Sequence, residues 1–263
     1  NITYSRFWDW EQYKPRFSNS WDEYRNSIWH RVGYVNWGYE AIGRFDSWEQ
    51  IANYPVDNDR KGNRTVVPGD IMYKDQNNDG VINYLDERPI GYRVDSTPTL
   101  NFGINLSASW KGFDLAMDWT GSGMTSWNQC YETARPFQND GNSPDEVLKD
   151  AWHLSDIWDA NSPLIPGKYP MVRLNTDETS AYDKSSYWLH NVTYLKLRNL
   201  EVGYTFPKTW LNRTGISNLR LFVSGTNLLT LSNLSVMDPE CASDNGLDYP
   251  PMRVINIGVN LKF

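Results

Sequence analysis

The chain reads as all-β: the C-terminal strands of a large antiparallel transmembrane β-barrel, with long extracellular loops containing short helices. Three observations predict this. From Ile255 to Phe263 every odd position is apolar and every even one is Asn, Gly or Lys. Successive strand side chains face opposite sides, so this segment has one oily and one wet face. The oily row runs to a C-terminal Phe, as in a closing barrel strand with lipid outside and a polar lumen inside; a soluble sandwich edge can share the pattern. Second, a mean hydropathy of −0.63 with 40% hydrophobic residues leaves no apolar run of ~18 residues, so neither a transmembrane helix nor a secretory h-region is expected within residues 1–263. Barrels hide their membrane character, because only alternate residues meet lipid. Third, the connections between candidate strands alternate between short and long.

The strands follow in order. Asn1 to Ser5 reads as the end of one. Leu100 to Trp110 alternates, with Phe102, Ile104 and Leu106 on one face and Asn101 and Asn105 on the other. Lys111-Gly112 turns the chain, and Phe113, Leu115, Met117 and Trp119 then oppose Asp114, Ala116, Asp118 and Thr120. Each arm approaches the ~9–11 residues a tilted strand needs to cross a bilayer. Further strands carry Leu200, Val202, Tyr204 and Phe206, stopped by Pro207, and Leu219, Leu221 and Val223. Counting back from Phe263 at the periplasm, connections 111–112 and 207–216 fall on the periplasmic side. Stretches 6–97, 122–186 and 231–252 fall outside, which is the usual asymmetry of such barrels. Six strands cannot close around this much loop, and an open edge in lipid leaves backbone groups unpaired. Residues 1–263 are therefore expected to be the C-terminal part of a larger polypeptide and not to form a stable barrel alone.

Ser143-Pro144-Asp145-Glu146 predicts a capped helix through Val147, Leu148 and Trp152. Ser47-Trp48-Glu49-Gln50 is a weaker version, and Ser20-Trp21-Asp22-Glu23 is too weak to predict one. Nine of the 13 tryptophans (8, 10, 21, 29, 37, 48, 127, 152 and 158) fall in the outer stretches, where aromatic faces suit sugar stacking, loop packing or a partner. Neither zinc nor a disulfide framework is indicated by Cys130 and Cys241, which are two free thiols or one bridge. A net charge of −7 argues against a nucleic-acid partner. His30, His153 and His190 form no triad or metal spacing, and no paired-carboxylate spacing stands out among 32 acids, so the chain is not expected to be an enzyme.

The sharpest chemical motif runs from Asp75 to Asp86. Calcium takes six to eight oxygens on a tight loop from positions 1, 3, 5, 7, 9 and 12, with Gly at 6. Those positions hold Asp75, Asn77, Asp79, the Val81 carbonyl, Asn83 and Asp86, with Gly80 at the turn. The expectation is a structural Ca²⁺ that stiffens an outer loop; the alternative is an Asx-rich turn satisfying its own backbone.

These residues also carry a resemblance. Pro68-Gly69-Asp70-Ile71-Met72-Tyr73-Lys74 and the loop after it, with Ile90-Gly91, resemble SusC-like TonB-dependent transporters of Bacteroidetes outer membranes. Similar blocks follow the family's order: Gly38 to Phe45, Asn105 to Asp114, Tyr194 to Tyr204, Arg220 to Leu229, Asp238-Pro239-Glu240 and the last strand. The resemblance covers the family's C-terminal barrel. It implies active import of an oligosaccharide or peptide, a SusD-like surface lipoprotein over the outer mouth, and energy delivered through TonB to a plug outside these residues. Outer-membrane lipid and the rest of the barrel are the remaining implied partners; substrate-binding residues are not identified. The rival readings are an extracellular glycan-binding or glycan-active protein with a dockerin-like calcium loop, and an outer-membrane barrel that serves as a scaffold.

Overall fold

Period-two patterning becomes one sheet. The computed structural model describes residues 1–6, 8, 17–27, 31, 35–93, 98–174, 179–212, 215–240, 245–249 and 251–263. In chain order its strands are β1 (Ile2–Tyr4), β2 (Asn36–Gly38), β3 (Ala41–Arg44), β4 (Ile71–Tyr73), β5 (Arg88–Gly91), β6 (Leu100–Trp110), β7 (Phe113–Asn128), β8 (His153–Leu154), β9 (Leu164–Ile165), β10 (Leu189–Thr205), β11 (Asn218–Ser232) and β12 (Val254–Lys262). Six of them form one sheet in the order β1-β6-β7-β10-β11-β12, with every neighbouring pair antiparallel. The other six make three two-stranded pairs within the long connections.

Register keeps the oily residues together. Leu106 pairs with Met117 and Met117 with Leu200; Leu115 pairs with Val202, Val202 with Val223, and Val223 with Ile257. One apolar face therefore runs unbroken from β6 to β12. On the other face Asn105, Asp118 and Asn199 share one row, and Glu201, Ser224 and Asn256 another. A one-residue slip anywhere would mix the two faces, so the pattern itself specifies register. The β6–β7 hairpin turns on Lys111 (φ +49°) and Gly112 (φ +92°), the doubly left-handed turn whose twist suits paired strands.

The polar face holds its own charges. Arg220 donates through Nε to Asp114 at 3.0 Å and through Nη2 to Glu201 at 2.6 Å, joining three strands. Its guanidinium crosses Gly203, where a Cβ would sit 2.4 Å from Nη2, so only glycine leaves room for the crossing. Higher on β10, Arg198 is an extra residue between the Leu197–Trp119 and Asn199–Asp118 pairs. This bulge switches the oily positions from even (204, 202, 200) to odd (197, 195) and turns Arg198 toward Thr120 and Asn227.

The hydrophobic core lies in the long connections, not in the sheet. Tyr39, Ile71, Tyr73 and Ile82 from the first connection pack with Ala134, Val147, Ala151, Tyr169, Ala181, Tyr182 and Trp188 from the second. A satellite of Phe45, Ile51 and Val66 adjoins it. Backbone bonds join the two connections: the Tyr39 amide donates to the Lys184 carbonyl and the Ser186 amide to the Tyr39 carbonyl, both at 2.9 Å. This packed body is the cap.

Several expectations change. The helix expected over 143–152 shrinks to Asp145–Lys149, and Ser143 makes no cap bond to it. Trp152 lies beyond its end, because the Trp152 amide is drawn off to the Tyr169 carbonyl at 2.9 Å. A helix does form at α1 (Ser20–Asn26), capped by Asn19 at the Asp22 amide. Ser47 caps α2 (Trp48–Ala52) as the sequence predicts. β7 continues to Asn128, so Trp127 stands on a strand and not in the outer stretch 122–186. The question of a Cys130–Cys241 bridge falls on Cys241, and Trp10, Trp29 and His30 are likewise outside the described residues.

Candidate functional site

The cap carries the features that could meet a ligand, and the calcium motif is the first. Asp75, Asp79 and Asp86 each offer a carboxylate oxygen within 4.8 Å of the others. Oxygens on opposite sides of a Ca²⁺ at ~2.3–2.6 Å stand ~4.6–5.2 Å apart, so this spacing fits the ion. The loop is built by side chains that hold its backbone. Asp75 accepts from the Asn78 amide at 2.7 Å and the Gly80 amide at 2.8 Å, and Gly80 takes the φ of +82° that the turn needs. Asp86, fully buried, accepts from the Gln76 and Asn83 amides, both at 2.8 Å. The Val81 amide and the Asn77 side chain hold the Asp79 carboxyl below its ordinary range.

The remaining sequence-predicted ligands are occupied elsewhere. The Asn77 side-chain oxygen accepts from the Asp79 amide at 3.0 Å. That of Asn83 caps the short 3-10 helix Tyr84–Asp86 through the Leu85 amide at 2.9 Å, and the Val81 carbonyl accepts from Asn83 Nδ2 at 3.2 Å. Three carboxylates thus converge, while the two asparagines serve the turn.

Two other carboxylates show what the cap does to charge. Asp59 would be raised by burial, but bonds from the Thr65 amide and hydroxyl and from the Lys61 and Asn63 amides outweigh this and hold it at about 2. Asp70 goes the other way. Burial pushes it up to about 6 despite its ion pair with Arg173 and the Val67 amide at 3.0 Å. Beside it Gly69 (φ +92°) lies under Trp152, whose ring atom Cγ would be 2.5 Å from a Cβ. The Pro68-Gly69-Asp70 block is therefore a packing junction between the two long connections.

A third connection is tied to the sheet. Lys196, 1% exposed, donates to both oxygens of Asp238, at 3.0 and 2.8 Å, and to Glu240 at 2.9 Å. Arg198 reaches the same Glu240. The bulge on β10 and the Asp238-Pro239-Glu240 block meet here.

A pocket of about 510 Å³ opens where the two long connections meet, lined by Arg25, Asn36, Trp37, Tyr39, Arg60, Glu87, Asp183 and Lys184 among others. Sequence reasoning did not single out this group, since its members come from five separate segments. Of the described histidines, His153 Nδ1 lies 2.9 Å from the Ala151 carbonyl, and His190 stacks on Trp127 with Nε2 3.2 Å from Gln129. His190 is a packing group, and His153 is exposed on β8.

Oily and polar faces on one antiparallel sheet, joined to a cap with its own core, define a class: a section of membrane-barrel wall with long, structured connections. No family model matches the chain. Individual relatives do. TonB-dependent receptor P3 of Formosa agariphila is 30% identical over 242 residues, covering 85% of this chain and 22% of that protein. TonB-dependent receptor SusC of Bacteroides thetaiotaomicron is 24% identical over 252 residues, 89% of this chain and 20% of SusC. Solved structures of the RagAB peptide importer share the fold, with a TM-score of 0.57 and 21% identity in the 'closed-closed' state, over 89% of this chain and 24% of that one. Over 85–89% of its length the chain is homologous to TonB-dependent receptors, SusC among them, and these relatives are receptors rather than enzymes. It spans about a fifth of the length of the curated relatives it matches.

Proposed function

We propose that this chain supplies wall, lumen lining and extracellular cap to a TonB-dependent importer of an oligosaccharide or peptide. The observation that carries the reading is the in-register oily face from β6 to β12, backed by a charged polar face and topped by a self-packed cap. A barrel uses such a face against lipid and the opposite one to line a polar path. Further strands outside residues 1–263 pair with the free edges of β1 and β12, because unpaired backbone is costly in a bilayer. The long connections face outward, and a SusD-like lipoprotein packs on the cap. The plug and its TonB contact, also outside this chain, supply the energy-coupled step.

In this reading the Asp75–Asp86 loop takes Ca²⁺ as a structural ion, since three carboxylates so close together repel without a cation. Deleting the gene should abolish growth on the cognate oligosaccharide or peptide as sole source, and the intact gene should restore it; unchanged uptake of both classes refutes import. Chelation should raise hydrogen exchange at residues 75–86 of the full-length receptor, and unchanged exchange reduces the motif to a turn.

A further inference from the structure

We propose that the pocket between the two long connections is a capture site for a carboxylate group on the imported oligomer. The inference rests on the import reading and adds a chemical class to it. A volume of about 510 Å³ is within the ~300–1,000 Å³ of small-molecule sites. In a chain of net charge −7, its lining holds three cations, Arg25, Arg60 and Lys184, against two carboxylates, Glu87 and Asp183. Lys184 donates through Nζ to the Asn36 side-chain oxygen at 2.6 Å, so the groups offered to a ligand are those of the two arginines.

The arginines are presented for such a ligand. Arg25 pairs with Glu87 through Nη1 alone, and its guanidinium is held 5.2 Å from the Trp37 ring centre. Its Nε and Nη2 make no hydrogen bond among the described residues. Arg60 gives Nη2 to Asp183 at 2.5 Å and Nη1 to the Tyr39 hydroxyl at 3.5 Å, which leaves Nε. Their side chains stay 32% and 45% exposed, within reach of solutes. Each guanidinium is thus fixed by a neighbour and retains donors, and planar Arg donors match a carboxylate in pairs. Because Arg25 and Arg60 come from the first long connection and Asp183 and Lys184 from the second, a bound anion touches both halves of the cap. A uronic acid unit of an oligosaccharide and an acidic side chain of a peptide offer the same group.

The test is titration calorimetry on the full-length receptor in detergent. Trigalacturonate is compared with neutral maltotriose in one arm, and triglutamate with trialanine in the other. The acid probe of at least one arm should bind about tenfold or more tightly than its neutral counterpart, and less tightly at roughly 0.5 M salt. Whichever arm shows this names the source. The Arg25→Gln/Arg60→Gln double variant should lose about tenfold of that affinity. Glu87→Gln breaks the same ion pair as Arg25→Gln but removes the competing negative charge, so it should strengthen binding. A mere folding defect would move both variants the same way. Equal affinity for charged and neutral probes in both arms, an unaffected double variant, or weaker binding in Glu87→Gln overturns the proposal. Transport separates it from the reading beneath it: acid-selective binding without uptake sinks import and leaves the site, while full uptake by the double variant sinks the site and leaves import.

Discussion

Ile257 and Trp188 are both large apolar side chains, yet Ile257 is 82% exposed on β12 while Trp188 is 2% exposed inside the cap. Trp188 behaves as a soluble core residue. It stacks near Tyr182 and Tyr169 and donates its indole N–H to the Ala181 carbonyl at 2.8 Å. Ile257 has only strand neighbours in its row, the in-register Val223 and beyond it Val202. In the proposed reading the sheet leaves its oily face for a solvent that is itself oily, while the cap hides its own from water. One chain thus follows two burial rules, and the boundary between them lies near the tops of β7 and β10, where the Ser126 hydroxyl accepts from the Tyr92 amide at 2.9 Å.

The largest effect that tests this contrast is in the cap. Trp188→Ala should cost ~3–5 kcal/mol, as buried aromatic truncations do. It should also raise proteolysis of the 129–188 connection in the full-length receptor. Ile257→Ala should cost far less, because lipid tails fill the space with material as apolar as the side chain. Comparable losses at the two sites would mean that the sheet's oily face is packed against protein.

Next in size is charge placed on the sheet. Ile257→Arg should cost ~2–4 kcal/mol in refolding into lipid vesicles, and Asn256→Arg on the opposite face ~0–1. Equal tolerance would show that the faces, or the environment, are misassigned.

How much of each region was legible follows from the same contrast. The bounds of β6 and the Lys111-Gly112 turn were readable because a half-lipid strand writes its environment at every second position. Even the bulge left a trace: the oily phase shifts between Leu195, Leu197 and Leu200, Val202, a slip that identifies Arg198 as the extra residue. The cap has no such period. Tyr39 meets Ser185 and Asp70 meets Arg173 across more than a hundred residues, and β8 and β9 are two residues each, too short to show alternation. Of the site, the three aspartates at EF-hand spacing could be read, because the loop is local. The role of Asn83 as a cap could not, since the ligand spacing and the Asx turn use the same side-chain oxygen, which here serves the Leu85 amide. The Arg25, Arg60 and Asp183 pocket was invisible for the same reason as the core: its parts are distant in sequence.

A smaller effect lies where the two regions join. Lys196→Met removes the cation shared by Asp238 and Glu240 and leaves two neighbouring carboxylates with only Arg198. The cost should be ~1–3 kcal/mol, the penalty of stranding partly buried hydrogen-bonding groups. Hydrogen exchange should rise at residues 233–240 and stay unchanged in the 129–188 connection. If exchange rises throughout the cap, the third connection belongs to the same cooperative body as the other two.

The smallest effect concerns pH and discriminates within the cap. Asp59 is held at about 2, below an ordinary carboxyl, so the folded cap favours its charged form. That contribution is complete above about pH 4 and is lost as pH falls toward 2. Asp70, raised to about 6, has the opposite sign. The fold favours its protonated form, so its contribution is complete below about pH 4 and is lost as pH rises through 6. Cap stability, read as hydrogen exchange at the amides of the core cluster, should fall on both sides of a maximum near pH 4. Asp59→Asn should flatten only the acid limb, because its bonds to Thr65, Lys61 and Asn63 then no longer titrate. Asp70→Asn should reduce the slope between pH 4 and 6 and leave the part that Asp183, also raised by burial, contributes. The slope is the readout in both variants, since Asp70→Asn also strips Arg173 of its counter-charge where Asp70 is ionised and so lowers stability above about pH 6. A slope between pH 4 and 6 that Asp70→Asn leaves unchanged would mean that Arg173 keeps Asp70 charged throughout, and that the junction at Pro68-Gly69-Asp70 is held by a full ion pair.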